Sequence, residues 1–322
     1  MADYKDIKGG TIQNFAGDPP APIAGQVWYD STAVAFQYFS SNPAGTWATT
    51  TALNTARDQV AGAGTTTSGL VFGENFGGET ESFNGSSWTE LADLNNSRRA
   101  TAGAGASNTA ALAFGGNLHH GGPNAASDYT ETWNGSSWTE VGDLNQAASF
   151  RGGTGTNTAA LSMGGSTGDG GNPPLAVVTE IWNGTSWTEV NDLNTGRSAL
   201  GASGTTTSAI AFGGGWPAKT EAEVWNGTNW TEVADLASGR NGCGGAGADS
   251  TAALVFGGPS SSALTELWNG TAWAEQNDLN SGRAYVGSSK GSSTAALCMG
   301  GGDSTAAEAW NSPTETSETI TD

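Results

Sequence analysis

The chain has 322 residues, with 31 Asp and Glu against 11 Lys and Arg, which gives a formal net charge of −20. Nucleic-acid binding needs a basic face that displaces counterions from phosphates. This charge balance therefore excludes nucleic acid as a binding partner and disfavours binding to an anionic membrane surface. We expect no membrane insertion either, because no stretch approaches the roughly 18 consecutive apolar residues of a spanning helix.

The first 45 residues do not share the pattern of the rest of the chain. They begin with a polar segment that lacks the apolar region of a signal peptide, so we expect no signal peptide. Two strand-like stretches follow at residues 25–30 and 34–39, and the second alternates apolar and polar residues as a half-buried strand does. We therefore predict a small N-terminal β-hairpin module at residues 1–45.

Residues 46–311 contain six copies of one phrase, in which an apolar stretch ends in glycine and is followed by Thr-Glu and an aromatic residue. The glycines recur from Gly73 to Gly300 at steps of 42, 49, 49, 44 and 43 residues. A period in the forties with strand-like segments predicts an all-β fold, namely a β-propeller with one four-stranded blade per repeat.

Two aromatic residues stand five positions apart in most copies, with Asn-Gly between them, as in Trp133 and Trp138. Their rings are predicted to face each other on one side of a hairpin. The sixth copy ends at Trp310 without a second Trp, and the segment around Trp47 matches the missing strand. We therefore predict six blades closed by an N-terminal strand, which removes an exposed sheet edge. Residues 312–322, rich in Thr and Glu, are predicted to be a separate C-terminal tail.

The ordered set of an Arg, an apolar strand ending in Gly-Gly, an aromatic residue and a Trp resembles the kelch repeat over residues 46–311. A narrower resemblance rests on Gly-Gln-Val-Trp-Tyr-Asp-Ser-Thr from Gly25, on Leu-Asn-Thr-Ala-Arg at residues 53–57, and on the repeated Trp-Asn-Gly-Ser/Thr. These motifs resemble kelch-type structural proteins of tailed bacteriophages, especially marine ones. The resemblance implies a kelch-like β-propeller and an N-terminal hairpin that is common in tail, fibre and other virion components.

One arginine and one glutamate recur in every repeat. In a closed ring the arginines would form a girdle near the mouth of the channel, where they would either bind an anion or tie neighbouring blades together. A residue that repeats in every blade is normally structural, which favours the second interpretation, and pairing with the glutamates stays open. The arginines are Arg57, Arg98, Arg151, Arg197, Arg240 and Arg283, and the glutamates are Glu81, Glu131, Glu180, Glu223, Glu266 and Glu308.

Unequal insertions follow the glycine pairs of several repeats and are predicted to emerge on one rim, where recognition usually resides. Candidate binding residues in these loops are His119, His120, Asp128, Asp169, Trp216 and Lys219. The two histidines are adjacent and no third ligand is evident, so we predict no metal and no cofactor. No nucleophile with a plausible base is visible, and Cys243 and Cys298 are predicted to be buried free thiols, so we expect no enzymatic activity.

The sequence favours a non-enzymatic bacteriophage virion protein of the tail or fibre, the neck or the capsid, located in the particle. Residues 1–45 would bind other virion proteins, and the rim loops would contact a host surface glycan or receptor, with a homo-oligomer in the particle left open. A soluble carbohydrate-binding kelch lectin and an enzyme with a site in the channel remain as alternatives. The candidate attachment residues are Trp28, Tyr29, Phe36 and Tyr38.

Overall fold

We describe the protein from a computed structural model, which covers residues 13–17, 19, 26–41, 44–74, 77–118, 125–168, 175–312 and 315–319. The chain divides into two compact units, Thr46–Ser312 and a smaller unit formed by Met1–Gly45 with Pro313–Asp322. The covered residues form an all-β structure with one short 3-10 helix, Pro259–Ser261. Within those residues, no helical segment combines the length and the apolar character needed to cross a membrane.

The larger unit contains six four-stranded sheets in which each strand pairs antiparallel with the next. From first to fourth strand, sheet 1 comprises Ala61–Thr65, Ser68–Phe72, Thr80–Phe83 and Trp88–Glu90. Sheet 2 comprises Ala102–Ser107, Ala110–Phe114, Thr130–Trp133 and Trp138–Glu140. Sheet 3 comprises Gly152–Gly155, Ala160–Met163, Thr179–Trp182 and Trp187–Val190. Sheet 4 comprises Gly201–Gly204, Ala209–Phe212, Ala222–Trp225 and Trp230–Val233. Sheet 5 comprises Gly244–Asp249, Ala252–Phe256, Thr265–Trp268 and Trp273–Glu275. Sheet 6 comprises Gly287–Ser288, Ala295–Met299, Ala307–Asn311 and Thr46–Thr49. A small three-stranded sheet adds Arg98–Arg99, Asn117–Leu118 and Ala125–Ala126.

The fourth strand of sheet 6 comes from the start of the unit. Thr46–Thr49 pairs antiparallel with Ala307–Asn311, and Trp47 lies opposite Trp310. The first strand of each sheet contacts the first strand of the next, and the first strand of sheet 6 contacts that of sheet 1. The first strands therefore surround a common axis.

The core lies between neighbouring sheets. Second strands such as Ala209–Phe212 are buried along their whole length, because sheets pack on both of their faces. The predicted aromatic pairs are confirmed: the rings of Trp133 and Trp138 lie 5.3 Å apart between centroids. Trp138 also packs on Phe72 of the preceding sheet at 4.9 Å, so each pair joins its own hairpin to a neighbour.

The smaller unit is a separate four-stranded sheet. Asn14–Phe15 pairs parallel with Val27–Asp30, which forms the predicted hairpin with Ala35–Ser41. Glu315–Thr319 pairs antiparallel with Ala35–Ser41. Part of the predicted C-terminal tail, Glu315–Thr319, therefore forms a strand of this sheet, because an extended Thr- and Glu-rich segment can satisfy the hydrogen bonds of a sheet edge.

Candidate functional site in the central channel

The segment that enters each first strand passes through one residue in the left-handed conformation, and we call these six residues the left-handed ring. The ring consists of Gln59, Ala100, Phe150, Ala199, Gly242 and Tyr285, with φ between 51° and 63°. The N–H of Ala100 donates to the carbonyl of Gln59 at 2.8 Å, and the same bond links each later member to the one before it. The backbone N–H of Val60 donates to the carbonyl of Tyr285 at 3.4 Å, so the series of hydrogen bonds closes on sheet 1.

Five members of the left-handed ring are not glycine, although this conformation costs an L-residue roughly 1–2 kcal/mol. Such strain persists only where the surroundings over-determine it, and it collects at functional sites. Here the cyclic hydrogen bonds hold it in place. The left-handed ring therefore marks the mouth of the central channel as a candidate functional site.

Inside the left-handed ring lies an axial cavity, which residues of all six sheets line. Its volume of about 80 Å³ has room for on the order of five water molecules. Most of its lining is backbone and small side chains, as at Gly62, Gly103 and Gly245. Larger side chains enter it chiefly from sheets 3 and 6, where the repeat departs from its common pattern.

Aromatic side chains meet at the left-handed ring. Phe150 of sheet 3 contacts Tyr285 of sheet 6 with centroids 5.8 Å apart, although two sheets separate them in either direction around the axis. Trp216, in the rim loop of sheet 4, packs edge-on against Phe150 at 5.8 Å and is 42% exposed. Burial and, secondly, the negative charge of Asp58 raise the pKa of Tyr285. The three rings form an aromatic cluster that is partly open to solvent.

The recurring arginines do not present free guanidinium groups to the cavity. Arg98 lies 2.8 Å from the Oε1 of Glu131, and both side chains are buried. Glu131 also accepts bonds from the backbone and side chain of Asn95, both at 2.8 Å, and we call this arrangement the carboxylate clasp. It fixes the segment that runs from one sheet to the next. Ion pairs at the same place are Arg57–Glu81, Arg151–Glu180, Arg197–Glu223, Arg240–Glu266 and Arg283–Glu308.

Arg151 differs from the other five. It lies six residues after Asn145, whereas Arg98 lies three residues after Asn95, and Ala148 occupies the regular place. Its pair with Glu180 is the longest of the six at 3.5 Å. Arg151 lines the axial cavity, and burial lowers its pKa to about 10. The sequence prediction had placed all six arginines in one girdle.

Lys290 is a cavity-lining residue that the sequence prediction missed. It lies five residues after Tyr285, and the corresponding position in the other five repeats is glycine. The glycines are Gly64, Gly105, Gly155, Gly204 and Gly247. The signal in the sequence was a lysine at a position that is glycine in every other repeat.

The turn of sheet 1 carries Glu74 where the other repeats have a second glycine. Burial and then a hydrogen bond with Glu79 raise the pKa of Glu74 to about 7. The negative charge of Glu79 adds to the rise, and Arg57 opposes it. This carboxyl therefore titrates near neutral pH.

The candidate residues of the rim loops are only partly covered by the structure. His119, His120 and Asp169 lie outside the described residues. Asp128 is half-buried, and Lys219 forms an ion pair with Glu221 at 3.7 Å. Trp216 is the one of this set that joins the aromatic cluster.

Both cysteines are buried free thiols. Burial raises the pKa of the Cys243 thiol to about 11 and that of Cys298 to about 12, so neither is a thiolate at neutral pH. Across the residues that the structure covers, no three His, Cys, Asp or Glu side chains are grouped to hold a metal ion.

No protein-family model matches the chain, and no curated protein matches it. Among solved structures it is similar to YjhT, a kelch-like β-propeller, with a TM-score of 0.68 and 14% sequence identity. The match covers 83% of this chain and 99% of YjhT. At that identity the similarity shows the fold alone, and the fold is a β-propeller.

Proposed function

We propose that this chain is a non-enzymatic structural component of a tailed-bacteriophage particle, in its tail or fibre, neck or capsid, and that it displays a propeller. The observation that carries the proposal is the division into two compact units, one of them a separate four-stranded sheet. A separate module suits attachment, because the larger unit then keeps its surface for recognition. The motif resemblance of residues 25–32 to virion proteins points the same way.

The displayed unit is a six-bladed propeller closed by the strand Thr46–Thr49. The pairing of that strand with Ala307–Asn311 supports the closure, and the cyclic hydrogen bonds of the left-handed ring support the blade number. Closure removes the open edge that sheet 6 would otherwise present to other chains. Such protection matters for a protein held at high local concentration in a particle.

Attachment uses the hairpin of the smaller unit. Val34 is 72% exposed and Phe36 is 44% exposed, and exposed apolar side chains that cluster mark interaction sites. Tyr29 packs edge-on against Phe36 at 5.3 Å, so the patch has a rigid aromatic base. Trp28 is fully buried and holds the module together instead of contacting a partner. The role of Tyr38 stays a prediction.

Mass spectrometry of purified particles tests the proposal, since absence of the chain from the virion would sink it. A sharper test incorporates variants into particles. We expect Phe36→Ser to reduce the amount of chain per particle severalfold. Trp216→Ser, which removes an equally exposed aromatic side chain from the propeller, is the matched control and should leave the amount unchanged.

A carbohydrate-binding lectin is the second candidate, and the aromatic cluster favours it. Trp216 presents a partly exposed ring beside Phe150 and Tyr285, and an amphipathic ring of this kind can stack on the apolar face of a sugar. A glycan array with the wild-type chain and with Trp216→Ala decides the matter. Sugar binding that is lost in the variant, together with absence of the chain from particles, would establish the lectin.

A further inference from the structure

Sheet 6 accommodates a side chain, that of Lys290, at the position where the other five sheets have room only for glycine. A β-carbon at Gly64 would lie 1.9 Å from the carbonyl oxygen of Ser68, and one at Gly155 would lie 2.3 Å from that of Ala159. Sheet 6 avoids this clash because its first strand, Gly287–Ser288, stops pairing early. Lys290 therefore lies outside the β-ladder of sheet 6, and its backbone N–H donates to the carbonyl of Gly64 at 3.1 Å.

The ammonium group of Lys290 lacks an acidic partner among the residues that the structure covers. Its hydrogen-bond partner there is the hydroxyl of Ser288, at 3.1 Å, whereas an ammonium group has three donors. Lys219, the other lysine in the covered ranges, pairs with Glu221, and the six recurring arginines all pair with glutamates. In a chain with 31 acidic residues, an unpaired lysine that lines a cavity is conspicuous.

A second cation lines the same cavity. Arg151 departs from the repeat pattern and makes the longest of the six ion pairs, 3.5 Å from Glu180. Burial in the cavity wall weakens hydration of both groups, and an incompletely solvated cation gains from an anionic partner. Glu180 balances the charge of Arg151, so the excess positive charge beside the cavity comes from Lys290.

We propose that the axial cavity binds a small anion, a carboxylate or an inorganic oxyanion, whose charge is countered by the ammonium group of Lys290. Arg151, whose ion pair with Glu180 is long, lines the same wall, and Ser288 orients the lysine. The cavity volume of about 80 Å³ limits the ligand, or the part of it that enters, to a compact group. This inference goes beyond the virion proposal and does not depend on it.

Calorimetric titration of the full chain with inorganic phosphate and, separately, with acetate tests the proposal and tells the two ligand classes apart. We expect saturable binding of at least one anion, weakened about tenfold or more in Lys290→Met, since a hydrogen bond to a charged group is lost. Lys290→Gly restores the residue of the other five repeats and should weaken binding equally. Lys219→Met changes the net charge by the same amount and should bind as the wild type does.

Protection of Lys290 from an amine-reactive reagent, followed by mass spectrometry, gives a measurement on the wild-type chain alone. The bound anion should slow modification of Lys290 and leave that of Lys219 unchanged. The proposal is overturned if neither anion binds saturably, or if both Lys290 variants bind as tightly as the wild type. Should the variants fail to fold, unchanged modification of Lys290 in the presence of either anion overturns it as well.

Discussion

The Nε1 of Trp47 donates a hydrogen bond to the Oγ1 of Thr265 at 2.9 Å, although 218 positions separate the two residues. The same bond joins Trp138 to Thr80 at 3.0 Å, from the fourth strand of one sheet to the third strand of the sheet before it. Trp187–Thr130 and Trp230–Thr179 repeat it. Trp47 therefore makes the contact between sheets 6 and 5 that a continuous repeat makes with its own tryptophan.

Replacing Trp47 by Ala should lower the free energy of unfolding by about 3–5 kcal/mol, because it empties a buried site at the junction of two sheets. Trp47→Phe keeps most of the ring and should cost about 1 kcal/mol for the lost hydrogen bond to Thr265. Chemical denaturation followed by tryptophan fluorescence measures both. Trp216→Ala serves as the control, and a loss there as large as for Trp47→Ala would contradict the closing role of Trp47.

The carboxylate clasp of sheet 5 is incomplete and offers a gain of stability. Ala237 takes the place of the clasp asparagine, so Glu266 accepts the backbone N–H of Ala237 at 2.9 Å but no side-chain amide from that position. At the matching place, the Nδ2 of Asn194 lies 2.8 Å from Glu223.

Ala237→Asn should therefore raise the free energy of unfolding by about 1 kcal/mol, as for one added hydrogen bond. The side chain at position 237 is exposed, so the change requires no rearrangement of the core. Asn194→Ala is the reciprocal variant and should lower stability by a similar or larger amount. Thermal and denaturant unfolding of both variants checks the pair, and an unchanged or lowered stability of Ala237→Asn would count against the clasp.

The repeats made the fold predictable, because six copies averaged out the ambiguity of any single strand. The pairing of Trp133 with Trp138 and the missing partner of Trp310 followed from spacing alone. The same repetition obscured the candidate site. Arg151 was assigned to the common set, although it follows the asparagine of its repeat by six residues and Arg98 follows the asparagine of its repeat by three.

The cavity residues were not predictable for a further reason. Contact between Phe150 and Tyr285 arises only when sheets 3 and 6 stand on opposite sides of an axis, which is a property of the ring. The left-handed conformation of these residues has no sequence signature either, since only one of the six ring positions is glycine. The departures from the repeat, taken together, were the usable signal.

Stability should fall as the pH rises through neutrality because of Glu74. Its pKa is raised from an ordinary value of 4.5 to about 7, chiefly by burial and then by Glu79. The folded state therefore keeps a proton that the unfolded state has released. This contribution is fully present below pH 4.5 and is lost as the pH rises through about 7.

Glu74→Gln keeps a neutral side chain beside Glu79 at every pH, so the fall in stability between pH 4.5 and pH 7 should become shallower. Glu90→Gln, at an exposed position on sheet 1, is the control and should keep the wild-type slope. Denaturant midpoints across this pH range supply the measurement. Identical slopes for the wild type and Glu74→Gln would show that the two carboxyls do not share a proton.

Gly242, the one glycine of the left-handed ring, lies directly against the aromatic ring of Tyr285. A β-carbon there would lie 2.9 Å from Cδ1 of the Tyr285 ring, and φ is 63°. Gly242→Ala should therefore lower the free energy of unfolding by about 1–3 kcal/mol, through the conformational penalty and the overpacking together. The double variant Gly242→Ala/Tyr285→Ala separates the two effects, because it removes the clash and keeps the penalty.

In that double-mutant cycle, we expect Gly242→Ala to be less destabilising when Tyr285 is already Ala, with a coupling of about 0.5 kcal/mol or more. Ala199→Gly provides the comparison at a ring position where a β-carbon is already accommodated at φ 53°. A coupling of zero would mean that the Tyr285 ring does not rest on Gly242. The aromatic cluster would then be free to move away from the mouth, and Trp216 and Phe150 alone would define the surface beside it.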